Sequence, residues 1–369
     1  MTFSSDVYAA RLDRAHHLTV EAGIDALIVG PGPDLAYLTG VEGDTIERLT
    51  ALVIGHDARP RVIVPRMELA KVRDTAVGAL DLEIDDWVDG EDPYDLIARA
   101  VSAAVTRVAV SDALPALHMV PIQNRLDVRL ELATPVLREG RMVKDAAEIA
   151  ELRRAGAAID AVHRRVPGWL RAGRTEREVA ADIAAAIVEE GHRTVEFVIV
   201  GSGPNGADPH HEVSDRIIVD GDIVVVDIGG AVPAGYNSDS TRTYAVGTPD
   251  AEAARRIDVL VRAQQAAVDA VRPGVTAEQV DAAARTALAA EGLADAFIHR
   301  TGHGIGLSVH EEPYIAPGNA LVLREGMAFS IEPGIYFPGQ WGARIEDIVI
   351  VTADGCERLN ISPHGLTRV

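Results

Sequence analysis

Asp227 and Asp239 lie twelve residues apart, Glu332 and Glu346 lie fourteen apart, and His303 falls between the two pairs. Four carboxylates gathered in a folded core must repel one another or take up protons unless cations neutralise them. Two divalent ions balance four carboxylates in charge, and such a pair lets a shared water lose its proton near neutral pH. Oxygen ligands with one imidazole suit Mn²⁺ or a similar borderline ion such as Co²⁺, with Zn²⁺ and Fe²⁺ as alternatives.

The surrounding sequence supplies elements able to hold these groups together. Asp227 ends the apolar run Ile223-Val224-Val225-Val226, and Asp239 precedes the strand-like Thr241 to Val246. Glu332 follows Ala328-Phe329-Ser330-Ile331, and Glu346 precedes Ile348-Val349-Ile350-Val351. Each pair therefore reads as a β-hairpin with one carboxylate per strand, and cross-strand neighbours lie about 5 Å apart. Helical patterns precede both hairpins. The first is long and amphipathic, carrying Ile149, Leu152, Ile159, Val162 and Val166. Thr175 and Glu178 then form a capping box ahead of Val179, Ile183 and Ile187, with Gly191 placed to end the helix. Gly274, Thr276, Gln279, Val280 and Gly292 repeat Gly173, Thr175, Glu178, Val179 and Gly191 at a constant offset of 101 residues. Upstream, Ile159-Asp160-Ala161-Val162 has a counterpart in Val268-Asp269-Ala270-Val271. The alternative is that Ala-rich helices converge in composition; if the repeat is real, a pseudo-twofold axis brings the two hairpins face to face.

The first third has a different character. Helical periodicity from Val7 to Ala22 stops at Gly23, and Asp25 to Val29 reads as a buried strand ended by Gly30-Pro31-Gly32-Pro33. Strands are expected at Thr50 to Ile54, Arg61 to Val64 and Val108 to Val110, with a polar turn from Gly55 to Pro60. Helices are expected at Met67 to Val77, Pro93 to Val105 and Leu114 to Leu126. Alternation of this kind predicts an α/β domain, a mixed sheet with flanking helices. We expect it over residues 1–135, a linker over 136–143 around Gly140, and an α+β domain with the internal duplication over 144–369.

Composition narrows the partners. The 369 residues are 47% hydrophobic and 25% charged, enough for two cores, and 35 Lys+Arg against 56 Asp+Glu leave a formal charge of −21. That balance argues against nucleic acid or an anionic membrane as a partner. Met1 to His17 lacks the apolar centre of a signal peptide, and no apolar run is long enough to span a bilayer. The single cysteine, Cys356, excludes an internal disulfide framework and suits a reducing cytoplasm.

Five strings carry a resemblance: Asp227-Ile228-Gly229-Gly230, Asn237-Ser238-Asp239-Ser240-Thr241-Arg242-Thr243, Thr301-Gly302-His303-Gly304-Ile305-Gly306, Ser330-Ile331-Glu332-Pro333-Gly334 and Arg344-Ile345-Glu346-Asp347. They resemble the metal-site motifs of the pita-bread metallopeptidases, and within them the Xaa-Pro dipeptidases (prolidases) and aminopeptidase P. Tyr37-Leu38-Thr39-Gly40 resembles a motif of that group's creatinase-like N-terminal domain.

The resemblance implies metal ligation by Asp227, Asp239, His303, Glu332 and Glu346, with Glu332 also shuttling a proton to the leaving nitrogen. It implies that His210 and His310 stabilise the oxyanion, with His211 beside His210 as the rival for that position. His299 and Arg344 are implied on the substrate side, Arg344 also orienting ligand carboxylates. It further implies a homodimer acting on Xaa-Pro peptides, most of all dipeptides. Tyr314 departs from the pattern, because some prolidases carry there an arginine suited to the substrate carboxylate; Arg216, Arg300 or a group of a partner subunit could substitute. The alternatives are an aminopeptidase P acting on longer peptides, a metal-free creatinase-like carbon–nitrogen hydrolase, and a non-catalytic peptide-binding module. Methionine aminopeptidases are similar in chemistry but lack an N-terminal domain of this length.

Overall fold

A computed structural model of the chain describes residues 3–43, 47–56, 58–101 and 105–369. Its backbone forms two compact units, Met1–Arg141 and Met142–Val369.

In chain order, unit 1 contains α1 (Ser5–Glu21), β1 (Ala26–Val29), α2 (Pro33–Thr39), β2 (Ala51–Gly55), β3 (Arg61–Pro65), α3 (Leu69–Arg73), β4 (Glu83–Trp87), α4 (Pro93–Ala100), β5 (Val108–Val110), α5 (Ala116–Leu126), β6 (Leu130–Leu132) and α6 (Thr134–Met142). One sheet, ordered β4-β3-β2-β1-β5-β6, mixes antiparallel β1/β2 and β2/β3 pairs with parallel β1/β5, β5/β6 and β3/β4 pairs. The central β1 is buried at every position, as an uninterrupted apolar run requires.

Three differences from the sequence reading have physical causes. The segment 136–143 expected as a linker lies mostly in α6: Pro135 falls in its first turn, where a missing N–H costs nothing, and the Gly140 carbonyl accepts from the Tyr37 hydroxyl at 2.9 Å. Strand β4 was not anticipated because Glu83, Asp85 and Asp86 conceal its pattern; it is an edge strand, and Arg61 of β3 pairs with Glu83 and Asp85. Helix α2 begins at Pro33, which reads as a breaker but is favoured in a helix's first turn, and closes at Gly40 with φ 71°. Helix α4 ends at Ala100, short of the expected Val105, and residues 102–104 of that stretch lie outside the described residues, as does residue 57 of the turn expected from Gly55 to Pro60.

Unit 2 contains α7 (Ala146–Arg165), α8 (Glu176–Glu189), β7 (Thr194–Ser202), β8 (Ile223–Ala231), β9 (Ser240–Ala245), α9 (Ala251–Ala270), α10 (Ala277–Ala290), β10 (Gly302–Gly304), β11 (Glu311–Ile315), β12 (Ala328–Ile331), β13 (Gly334–Phe337), β14 (Trp341–Arg344), β15 (Asp347–Val351), β16 (Cys356–Arg358) and β17 (Thr367–Arg368). Its strands form sheets ordered β17-β9-β8-β7 and β11-β10-β12-β15-β16, with β13-β14 as a separate ribbon.

The repeat read from sequence recurs in the backbone. Helices α8 and α10 are each 14 residues long, and each is preceded by a glycine at positive φ, Gly173 at 90° and Gly274 at 88°. Isolated bridges Thr175↔Ile217 and Thr276↔Val322 tie the two helix starts to equivalent strand-like segments. Glu178 accepts from the Thr175 N–H at 3.0 Å and Gln279 from the Thr276 N–H at 2.8 Å.

Packing decides which way each carboxylate points. On β8, Val224, Val226 and Ile228 join the apolar cluster built with Ile159, Val162, Val179 and Ile183, so the alternation of a strand turns Asp227 to the opposite face. On β12, Phe329 and Ile331 join the cluster that includes Ile257, Leu260, Val280 and Leu288, which turns Ser330 and the following Glu332 the other way.

Candidate metal centre

The two acidic pairs are held differently. Asp227 pairs with Thr241 and Ile228 with Ser240, so Asp239 lies just beyond the ladder as a diagonal neighbour of Asp227. In the other half, Ile331 pairs with Asp347 and Gly334 with Arg344, one register carried across a break at Pro333. Glu332 and Glu346 therefore stand directly opposite each other where the ladder opens. His303 comes from β10, between β11 and β12. A Cβ at Gly302 would strike the Ser330 carbonyl and one at Gly304 the Glu312 carbonyl, so glycine on both sides lets this strand fit between its neighbours.

A cavity of about 650 Å³ in unit 2 is lined by Asp227, Asp239, His303, Glu332, Glu346, His210, His299, His310 and Arg344, all the site residues named from sequence. Donor atoms of Asp227, Asp239 and Glu346 lie within 4.8 Å of one another, as do those of His303, Glu332 and Glu346, and those of Asp239, His303 and His310. His310, read from sequence as outside the ligand set, is thus within reach of one group.

The donor set fits cations. Arg344 Nη2 donates to Asp227 Oδ2 at 2.5 Å and Thr241 Oγ1 to Glu346 Oε2 at 2.7 Å, while Asp227 Oδ1 and Glu346 Oε1 are buried without a hydrogen-bond partner. An unpartnered buried carboxylate oxygen is costly, and a cation is the partner that satisfies it. His303 Nδ1 donates to the Gly304 carbonyl at 3.0 Å, which fixes the tautomer and leaves Nε2 turned toward Glu332 at 3.2 Å and Asp239 at 3.5 Å.

Charge in the cluster follows from burial and neighbours. Burial, and then the Asp227 charge, push the Asp239 carboxyl well above the usual range. Burial and the Asp239 charge do the same to Glu346. At Glu332, burial works upward, but the hydrogen bond and charge of His303 prevail and take it down to about 2. At His303, burial works downward and is overcome by Glu332 and Asp239, so its pKa rises. Both shifts favour the protonated carboxyl, so binding of divalent ions would release protons from Asp239 and Glu346.

Around these groups the cavity is asymmetric. Burial and the His303 charge lower His310 to about 4, so it is neutral at ordinary pH. His299 and Arg344, expected on the substrate side, line the cavity but engage their polar atoms within the protein. His299 Nδ1 donates to the Arg300 carbonyl at 2.7 Å, and its Nε2 accepts from the Tyr336 hydroxyl at 2.9 Å. That hydroxyl accepts from Arg344 Nη1 at 2.9 Å, and Arg344 Nε donates to Thr241 Oγ1 at 3.2 Å.

The sequence reading did not single out Tyr336, Thr241 or Ser330, whose hydroxyl donates to Glu332 Oε1 at 3.0 Å. Thr241 and Ser330 each lie two residues from a ligand candidate, on the same strand face, which is the signal that would have found them. Glu176 was missed as well. Fully buried, it accepts from the Ser202 N–H and hydroxyl at 2.8 and 2.6 Å, from the Ser214 hydroxyl at 2.6 Å and from Asn205 Nδ2 at 3.1 Å. His211 Nε2 meets the same carboxylate at 2.8 Å, so His211 anchors this loop while His210 lines the cavity.

Family models match both units: metallopeptidase family M24 over residues 150–353 and the creatinase/prolidase N-terminal domain over residues 11–143. The chain belongs to metallopeptidase family M24. Members of this family hydrolyse peptides with divalent metal, and this M24 peptidase has the fold expected from its sequence, a creatinase-type N-terminal domain followed by a pita-bread domain. It is 60% identical over 364 residues to a probable dipeptidase PepE from Mycobacterium tuberculosis, covering 99% of this chain and 97% of that protein. It is 35% identical over 353 residues to an Xaa-Pro dipeptidase from Lactobacillus helveticus, covering 93% and 95%. The crystal structure of dipeptidase PepE from Mycobacterium ulcerans superposes with a TM-score of 0.96 at 60% identity, covering 100% of this chain and 99% of that one. Among the described residues, no helix is long and apolar enough to cross a membrane.

Proposed function

We propose that this M24 peptidase hydrolyses the Xaa-Pro bond of short peptides, most of all dipeptides, with two divalent ions held by Asp227, Asp239, His303, Glu332 and Glu346. The observation that carries this reading is the pair of orphaned oxygens, Asp227 Oδ1 and Glu346 Oε1, in a cavity shared with His303, Glu332 and three further histidines. The Xaa-Pro dipeptidase named among the relatives supports the choice of substrate. Mn²⁺ suits the donor set, with Co²⁺, Zn²⁺ and Fe²⁺ as alternatives. A homodimer belongs to the same proposal and rests on the family resemblance, while a cytoplasmic location rests on the single cysteine.

When bound, such ions polarise the scissile carbonyl and make water nucleophilic near neutral pH. The chain's own groups do the rest. Ser330 engages Oε1 of Glu332, leaving Oε2 to take a proton and pass it to the leaving nitrogen. Neutral His310, with His210, donates an N–H to the carbonyl oxygen as negative charge develops there. Phe197, Ile199, Ile298 and Val309 offer the cavity an apolar wall for a pyrrolidine ring. A tertiary amide has no N–H to give a strand-binding protease, so holding the peptide through its carbonyl and amino terminus avoids that loss.

The test compares Xaa-Pro with Xaa-Ala dipeptides on metal-depleted and reconstituted protein. Hydrolysis should require metal and favour proline; equal rates on both substrates, or full activity after chelation, would reject the proposal. Tyr314, standing where some prolidases carry a carboxylate-binding arginine, favours a second reading as an aminopeptidase on longer peptides. Equal rates on Xaa-Pro and Xaa-Pro-Xaa would select it.

A further inference from the structure

Two cations line the cavity, Arg300 and Arg344. Arg344 is committed to Asp227, Thr241 and Tyr336 and is 3% exposed. Arg216, the other intrachain arginine suggested by sequence, lies outside the cavity lining and is occupied by both oxygens of Asp222, at 2.6 and 2.9 Å. Arg300 differs from both. Among the described residues, no carboxylate pairs with its guanidinium, which lies over the ring of Tyr314 at 4.5 Å from the centroid.

We propose that Arg300, held on the face of Tyr314, binds the terminal carboxylate of the peptide and thereby makes this a site for dipeptides. The inference rests on the peptidase reading above, and it reconciles dipeptide hydrolysis with the absence of arginine at position 314. A guanidinium resting on an aromatic face keeps its N–H edge free for a bidentate carboxylate contact. Tyr314 is placed to do this: it pairs with His303 across β10 and β11, so the stacked arginine is registered against the strand that carries the imidazole. A dipeptide ends one residue beyond the scissile bond, so a cation in the lining meets its carboxylate, whereas a longer chain presents a neutral amide there.

The experiment measures kcat/KM, and Kd by calorimetry, for a dipeptide and its C-terminal amide on wild-type, Arg300→Ala, Arg300→Lys and Tyr314→Ala proteins. A panel of Xaa-Pro and Xaa-Ala substrates is run first, and the pair is built on whichever dipeptide binds best. Hydrogen bonds to a charged group correspond to roughly a 10- to 100-fold preference for the free acid. We expect that preference in the wild type, its collapse to within about twofold in R300A, partial retention in R300K and weakening in Y314A. Equal handling of acid and amide by the wild type, or a preference that survives R300A, overturns the proposal. Loss of proline preference in the panel overturns the Xaa-Pro reading instead, and the acid-to-amide ratio still decides the role of Arg300.

Discussion

Arg344 and Asp227, 117 residues apart in sequence, meet through Nη2 and Oδ2 at 2.5 Å in a buried contact. The arginine approaches one carboxylate oxygen and leaves the other unpartnered, so it aims Asp227 without saturating it. The same guanidinium holds the Tyr336 hydroxyl, which in turn donates to His299.

Replacing Arg344 with lysine should therefore weaken metal binding by about 10- to 100-fold, the usual cost of losing a group that orients a ligand. Lysine keeps the charge but cannot serve Thr241, Tyr336 and Asp227 at once. Competition with a chromogenic chelator measures the affinity; an unchanged value would remove Arg344 from this role.

Metal-free protein should show a distinctive pH dependence. Asp239 and Glu346 have folded pKa values raised by burial first, then by the Asp227 charge at Asp239 and by the Asp239 charge at Glu346, so they contribute stability while protonated, fully below their ordinary value near 4, and lose it as pH rises through the raised values. Each unit of that rise corresponds to about 1.4 kcal/mol. Asp239→Asn should melt above wild type in the metal-free state by a margin that widens from pH 5 to pH 8, while losing metal-dependent hydrolysis. A margin that stays constant over that range contradicts the proton assignment.

Glu176→Ala should act at a distance. It strands buried donors from Ser202, Asn205 and Ser214 and frees His211, at a cost of about 3 kcal/mol in urea unfolding. Because the loop it releases carries His210, kcat should fall by about tenfold or more with KM less affected. Wild-type kinetics in the folded variant would show that His210 is positioned by something else.

Behind the centre, Asp347 is fully buried and accepts from Arg242 at 2.7 Å, Arg358 at 2.7 Å, His364 at 2.7 Å and Gln264 at 3.0 Å. Removing a carboxylate that compensates the buried Arg242 and the half-buried Arg358 costs about 3–5 kcal/mol, so Asp347→Ala should lower the midpoint of denaturant unfolding accordingly. An effect below about 1 kcal/mol would mean that water replaces the carboxylate.

The sequence exposed the centre because a carboxylate at the end of an apolar strand-like run stands out. Apolar residues at 224, 226 and 228 force Asp227 to the other face, and the duplicated helix starts show which acids correspond. Groups that act through long-range contacts had no such signature. Glu176 looks like an ordinary acidic first-turn residue until the chain folds loop 203–216 onto it, and the role of Tyr336 depends on an arginine and a histidine from other strands. Helix α6 was hidden by Pro135 and Gly140, both of which suit their positions once a helix start and the approach of Tyr37 are known.

The glycines on either side of His303 bear on how the gene can vary. A saturation scan across β10 should find a gap in tolerance three codons wide where the chemistry itself needs one side chain, because a methyl group on either neighbour would push the imidazole's strand out of line. Variants at Gly302 and Gly304 would then be scored as inactive although neither position bears a functional group.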